Sequence, residues 1–567
     1  MISEMKQTTF PRIDDAKWRE VAETSLRGLP FEKLITKTLE DIDIEPLYTK
    51  EAFERQYADK HDAMLKTIRK GIGSQNWTIA QRSYAKDGAK FLEDSIVAIE
   101  KGNEAIVYDG AHGVVWTDDQ LKKLATLMTK YPIYAFQVHS NDDFLSVFNN
   151  INESDRALVR GAVTGYDIDL PNGYDNVRTV VADLVEDHDR GADIVTELAL
   201  TLAIATEQLE EYDSFTAFAN DFIVRYAIDT NFFMEMAKLR AFRLLWQTLA
   251  EAYGEKEAPN AMIYTETSLR TYSKLDIYVN LLRAGNEAFS AVLGGADVVT
   301  VHPHDVLSAI TPQSERIARN VQLVIKEETF VHYVLDPAGG SYYIDSLTDQ
   351  LVERAWQAFL EIEEKGGYLA YVNSDAYNEK IASLHEKRLT LLSTHKASLI
   401  GTNIYADLEN VIEDDQPTLV VENRLAEPYE NFRNYFKENQ LNVVLLNFGM
   451  LKDYKPRADF AKGFLAAGGI EVSAEPAFNT AEEGAKWAKE NSFDYAIICA
   501  SAKETETFVD GFVEHFPGNK KIDVAGKCAP ELAEKWQAKG IHGYIYKGQD
   551  QLEKFQLLQS FVEKEGR

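Results

Sequence analysis

The residues Lys452-Asp453-Tyr454-Lys455-Pro456-Arg457 follow an apolar run and precede an amphipathic one. In an open parallel sheet that is where the first loop meets a ligand. Such a site calls for an acid, a histidine or closely spaced glycines, and this loop offers two lysines, an arginine and a proline. Its cations could meet a phosphate, although a short charge run is ordinarily solvated. Upstream, Glu186-Asp187-His188-Asp189-Arg190-Gly191 has acid-x-His-x-x-Gly spacing suited to acid-base chemistry, against a plainer reading as a solvent-facing or capping cluster. His302-Pro303-His304-Asp305 follows a strand-like run, where barrel active sites gather. Two histidines split by a proline need not converge on one ion, and the motif fixes no third ligand. Gly339-Gly340 after Asp336-Pro337 lacks a Walker pattern and reads as a tight turn, with Tyr342 and Tyr343 as packing or interface residues. Cys499 and Cys528 are too few for a disulfide framework and have no zinc-site spacing. No metal centre is expected.

The chain has 567 residues, 45% of them hydrophobic and 27% charged, enough for more than one globular domain. Its net charge of -31 repels nucleic acid and anionic membrane surfaces. No signal pattern opens it, and apolar runs such as residues 198–205 are far short of the roughly 20 residues that span a bilayer. A reducing cytoplasm is the expected location.

Four segments are expected. Residues 1–57 read as an arm with an extended stretch at 42–48. Residues 58–394 alternate strand-like runs with amphipathic helical ones, which implies βα units. Six strands are marked, at 104–108, 133–138, 179–184, 261–265, 297–301 and 332–335, and a (β/α)₈ TIM barrel is the most economical closure. A helix begins near Asn231, with Phe232, Met236, Leu239, Phe242 and Trp246 as its core-facing stripe. Residues 395–434, with Glu413-Asp414-Asp415-Gln416-Pro417, read as a linker. In 435–567, strands at 443–447, 470–474, 495–500, 521–525 and 543–546 alternate with helices, which suggests a flavodoxin-like doubly wound sheet.

Several stretches, in order and spacing, resemble the methylmalonyl-CoA mutase family nearly end to end. They are Phe10-Pro11-Arg12 with Ile44-Glu45-Pro46-Leu47-Tyr48-Thr49, Asn76-Trp77-Thr78-Ile79-Ala80-Gln81, the segments 231–240 and 317–323, and Leu335-Asp336-Pro337-Ala338-Gly339-Gly340-Ser341-Tyr342-Tyr343. The resemblance implies an acyl-CoA-binding barrel joined to a cobalamin-binding-type domain, and a radical rearrangement between succinyl-CoA and methylmalonyl-CoA with adenosylcobalamin as cofactor. Catalytic members carry the cobalt ligand in an Asp-x-His-x-x-Gly loop, followed by Ser-x-Leu and Gly-Gly. Here Lys452 stands at the aspartate, Tyr454 at the histidine and Arg457 at the glycine, while Ala500-Ser501-Ala502 and Gly526-Lys527 occupy the later motifs. A phenol with a pKa near 10 is a poor substitute for a neutral imidazole.

In the barrel, Arg82 matches the family's active-site tyrosine, and Ser83-Tyr84-Ala85-Lys86 replaces the run after it. The Glu186 to Gly191 motif imitates the lost loop but lies in the barrel region, with no Ser-x-Leu or Gly-Gly at the family spacing. The pattern resembles the non-catalytic half of a heterodimer. It implies no catalytic, cofactor or metal residues in this chain, with Lys452, Tyr454, Arg457, Ala500 and Lys527 as degenerate positions. The implied partner is a large (alpha) subunit that binds the cofactor and the acyl-CoA substrate, and the 1–57 arm is expected to wrap it. The alternatives are a divergent mutase active by itself and a regulatory or cofactor-loading module, the latter disfavoured by the lack of a P-loop.

Overall fold

The computed structural model describes residues 13–412, 417–516 and 520–564. The Phe10-Pro11-Arg12 stretch and most of the acidic 413–417 stretch lie outside the described residues. The chain divides into two units, one drawn from 1–268, 284–302 and 315–384, the other from 269–283, 303–314 and 385–567.

The first unit is an all-parallel barrel whose strands run, in order, Thr78–Arg82, Ala105–Asp109, Ile133–His139, Gly161–Tyr166, the 177–183 segment, Phe222–Ile228, Met262–Thr267 and Val298–Thr300. Closure occurs within one extended segment. Val177–Arg178 pairs with the start of Gly161–Tyr166, and Val180–Asp183 pairs with Phe222–Arg225. Between them Thr179 leaves the ladder, and its backbone N–H and hydroxyl donate to the Asp221 carboxylate at 2.6 and 2.9 Å. The lumen is packed by Tyr134, Phe136 and Tyr264 with small residues such as Ala80, Ala105 and Ala162, so the barrel is a filled core.

Five of the six expected barrel strands exist, and the sixth is overturned. Val331–Tyr333 is a short 3-10 turn, entered through Phe330 at φ 56, and Tyr333, Val334 and Leu335 are exposed rather than paired. Three further strands carried weak signals. Gly161–Tyr166 holds two glycines, which weaken a strand pattern. Phe222–Ile228 follows the helix Phe215–Asp221 without a turn residue, and Thr78–Arg82 has only Ile79 and Ala80 as apolar residues.

Helix Phe232–Ala252 begins after Asn231 and buries Met236, Leu239, Phe242 and Trp246 as expected. It also buries Glu235, Lys238, Arg240 and Arg243, because helices Ile194–Leu209 and Tyr342–Glu364 flank it. In the arm, only Asp43–Ile44 of the extended stretch pairs, with Thr36–Lys37. Phe53 stacks on Tyr342 at 5.0 Å, and the Tyr57 hydroxyl meets Ser346 Oγ at 3.1 Å.

The second unit contains a parallel sheet of Val443–Phe448, Val472–Ala474, Tyr495–Cys499, Lys521–Ala525 and Gly543–Ile545, with Ala477–Phe478 on its first strand. Strand order is 2-1-3-4-5, the flavodoxin-like arrangement. Two hydrophobic clusters cover its faces, one with Phe464 and Phe555, the other with Phe512 and Trp536.

Candidate functional site

The carboxyl ends of the barrel strands carry a connected set of buried polar groups. Arg225, on Phe222–Ile228, donates from Nη2 to Glu266 Oε2 at 2.7 Å and from Nη1 to Asp183 Oδ2 at 2.8 Å. Its guanidinium also lies 4.5 Å from the Phe136 ring centroid, a favourable cation–π placement. The other Glu266 oxygen meets His302 Nε2 at 3.3 Å, and His302 Nδ1 meets the Tyr84 hydroxyl at 2.7 Å. Arg82 pairs with Asp109 and sits 3.2 Å from His112 Nε2.

Burial works against charge throughout this set. It holds His302 below its ordinary basicity despite Glu266, and it lowers His112 to about 4 with help from Arg82. Burial also opposes ionisation of Glu266, but Arg225, His302 and Arg82 outweigh it and keep the carboxylate charged. Each charge at the barrel mouth is therefore matched internally. The arrangement can hold a rigid ion-paired plug; it leaves Arg225 and Glu266 committed to each other. His304 takes no part in this set and packs on Tyr278 at 5.5 Å. Among the described residues, no group of three or more His, Cys, Asp or Glu side chains could hold a metal ion.

The acid-x-His-x-x-Gly motif proves to be interior. His188 is fully buried, with Nδ1 2.8 Å from Glu197 Oε1 and Nε2 2.8 Å from Ser268 Oγ. A solvent-facing cluster is thus overturned for this residue. The cause is helix Ile194–Leu209, buried on nearly all sides, whose Glu197 needs partners. Lys238 supplies the other, at 2.9 Å from Glu197 Oε2, 2.6 Å from Glu235 Oε2 and 2.8 Å from the Ala227 carbonyl. Burial, with Glu197 adding repulsion, pushes Glu235 up to about 7 despite Lys238. Nothing in the sequence pairs positions 188, 197 and 238, so this cluster was invisible to spacing.

The Asp336 to Ser341 turn closes on itself. Gly339 N–H donates to the Asp336 carbonyl at 3.0 Å, and a Cβ on Gly339 would lie 2.2 Å from the Asp336 carboxylate. The turn's interior is thus occupied by Asp336. Gly340 N–H donates to Asp345, which also accepts from Arg240 at 2.6 Å, and Ser341 caps helix Tyr342–Glu364. Tyr342 and Tyr343 pack against Phe53 and Tyr48.

In the second unit, residues 452–457 form the opening turns of helix Leu451–Ala467 rather than a loop. After the strand ends at Phe448, only Gly449, at φ 88, and Met450 precede the helix. Lys452 is exposed, and Lys455 pairs with Asp459 at 2.9 Å. Tyr454 is half-buried and packs against the cluster containing Phe464 and Phe555.

Arg457 is half-buried rather than freely solvated. Its Nη1 donates to Thr505 Oγ1 at 2.6 Å and to the Ala525 carbonyl at 2.7 Å. Thr505 begins the helix after Tyr495–Cys499, and Ala525 ends the next strand. The guanidinium therefore spans the sheet's carboxyl edge beside the switch point of strand order, where such folds take ligands. It fills the room over Gly526, where a Cβ would lie 2.7 Å from Arg457 Cζ. Burial lowers Arg457 from its ordinary value. Ala500 is buried at the end of its strand, and Lys527 is exposed with Nζ 5.9 Å from the Tyr546 ring centroid.

A corrin with a protein-derived nitrogen ligand does not fit these residues. The tyrosine is drawn into the helix-side core, and an arginine fills the crevice. Sequence reading marked Arg457 as a changed position but missed that its side chain bridges two neighbouring elements, since nothing in spacing predicts that reach.

The family model described as methylmalonyl-CoA mutase matches residues 173–445. The chain is 26% identical to the methylmalonyl-CoA mutase small subunit of Porphyromonas gingivalis over 98% of each chain. It is 35% identical to a probable methylmalonyl-CoA mutase small subunit of Mycobacterium bovis over 58% of this chain and 56% of that one. A methylmalonyl-CoA mutase of Cereibacter sphaeroides is 26% identical over 97% of this chain and 80% of its own length.

Proposed function

We propose that this chain, similar to methylmalonyl-CoA mutases over residues 173–445 and to a small subunit nearly end to end, is a member of that family and the small, non-catalytic subunit of a heterodimeric mutase. Its homologous large subunit would hold adenosylcobalamin and the acyl-CoA and interconvert succinyl-CoA and methylmalonyl-CoA. The carrying observation is Arg457, which stands at the position of the motif glycine and spans the crevice to Thr505 and Ala525. Tyr454 at the histidine position supports the same reading, as do Lys452, Ala500 and Lys527 at the remaining motif positions.

The cofactor, when bound to the partner, supplies the radical. This chain's contribution is a scaffold. In its barrel, Arg225, Glu266, His302 and Tyr84 hold one another and close the mouth with internally matched charge. An ion-paired plug of this kind costs several kcal/mol per ion to break open, so substrate entry into this barrel is disfavoured. The 1–57 arm is assigned to the partner's surface, because helix Asp15–Ser25 has no buried residue of its own.

The test is reconstitution. The chain alone should leave the adenosylcobalamin spectrum unchanged and show no turnover of succinyl-CoA. Adding the large subunit should give a 1:1 complex and turnover. Cobalamin binding with turnover by the isolated chain would overturn the proposal.

A further inference from the structure

A cavity of about 520 Å³ lies at the amino edge of the second unit's sheet, opposite the edge that Arg457 spans. Val411, Phe436, Leu441 and Ile470 give it apolar walls, and Arg433 and Lys437 line it together with the acidic Glu471 and Asp494. Arg433 is only 6% exposed. One of its terminal nitrogens, Nη1, donates to the Asp407 carbonyl at 2.8 Å. Its Nε and Nη2 have no hydrogen-bond partner among the described residues.

This is an expensive position for a guanidinium. A buried cation without a paired carboxylate or full hydrogen bonding is costly, and burial lowers Arg433 from its ordinary value although the Asp407 charge opposes it. Gly469 packs closely on it, since a Cβ there would lie 2.9 Å from Arg433 Cδ and 3.1 Å from its Cα. A guanidinium presents its remaining N–H groups as a planar fork that matches a carboxylate in bidentate fashion. An apolar pocket with a few convergent polar groups is the usual form of a small-molecule site.

We propose that this cavity binds an organic carboxylate with a short apolar tail, its carboxylate on Arg433 and its tail against Phe436 and Ile470. The site is separate from the degenerate crevice and does not depend on the heterodimer reading. Glu471 and Asp494, also on the cavity wall, disfavour a second negative charge on the ligand, so a monocarboxylate is the fitting class. Both free nitrogens are sealed beneath the wall, so binding must displace part of it and association should be slower than diffusion.

The experiment uses the full chain with hexanoate and 1-hexanol as probes, read by calorimetry and thermal shift. Hexanoate should bind at least tenfold more tightly than hexanol. Arg433→Met should lose that preference while remaining folded, and Arg433→Lys should keep only part of it. Val411→Trp, which fills the cavity and leaves Arg433 intact, should abolish binding and covers the case in which the arginine variants fail to fold. Equal binding of the two probes, no binding of hexanoate, or undiminished binding in Val411→Trp would each overturn the assignment.

Discussion

Tyr454 and Arg457 do different work at the sheet edge. Tyr454 contributes its ring to the helix-side core, so Tyr454→His should not create a cobalt ligand: Arg457 still spans the crevice beside it. The expected result is an adenosylcobalamin spectrum unaltered by the variant, and appearance of a histidine-ligated spectrum would refute the account. Glu235 offers a sharper measurement. Its ordinary value is 4.5 and burial raises it to about 7 in the folded chain. Below pH 4.5 both states hold the proton and no penalty exists. Between 4.5 and 7 the unfolded chain releases its proton first, so stability falls as pH rises, by roughly 3 kcal/mol in total. Glu235→Gln should flatten that slope in urea titrations across this window, and an unchanged slope would assign it elsewhere.

At the scale of elements, helix Leu451–Ala467 is notable for carrying Pro456 as its sixth residue. Proline there removes the bond to the Lys452 carbonyl and crowds it, a cost of up to about 3 kcal/mol. Pro456→Ala should therefore raise stability by about 1–3 kcal/mol in denaturant unfolding; a loss would show that the proline fits a bend the helix needs. This residue also explains why 452–457 reads as a loop in sequence, since proline and three cations look like a turn. The helix forms regardless because Ala458, Ala461, Phe464 and Leu465 bury one face against the sheet, and burial outweighs local propensity. The 332–335 segment errs the other way. It looks like a strand by composition but has no neighbouring strand with a free edge, since Val298–Thr300 already pairs on both sides.

For the whole molecule, the proposed role of the arm lies in association with a large subunit. Residues 31–57 dock on helix Tyr342–Glu364 through Phe53 and Tyr57, whereas Asp15–Ser25 has no buried residue. Deleting residues 1–30 should leave the unfolding midpoint nearly unchanged and weaken association with the large subunit at least tenfold, as measured by ultracentrifugation. Full assembly by the truncated chain would move the interface elsewhere. The sequence by itself determined the two α/β folds and the resemblance to methylmalonyl-CoA mutases, because periodicity and ordered motifs are local properties of the chain. Tertiary structure alone decided that His188 is an interior ion-cluster residue, that Arg225 and Glu266 pair near the carboxyl ends of the barrel strands, and that Arg457 occupies the space over Gly526. Each of those outcomes depends on which distant side chain meets a buried charge, and the need to match charges out of water acts only once the chain has folded.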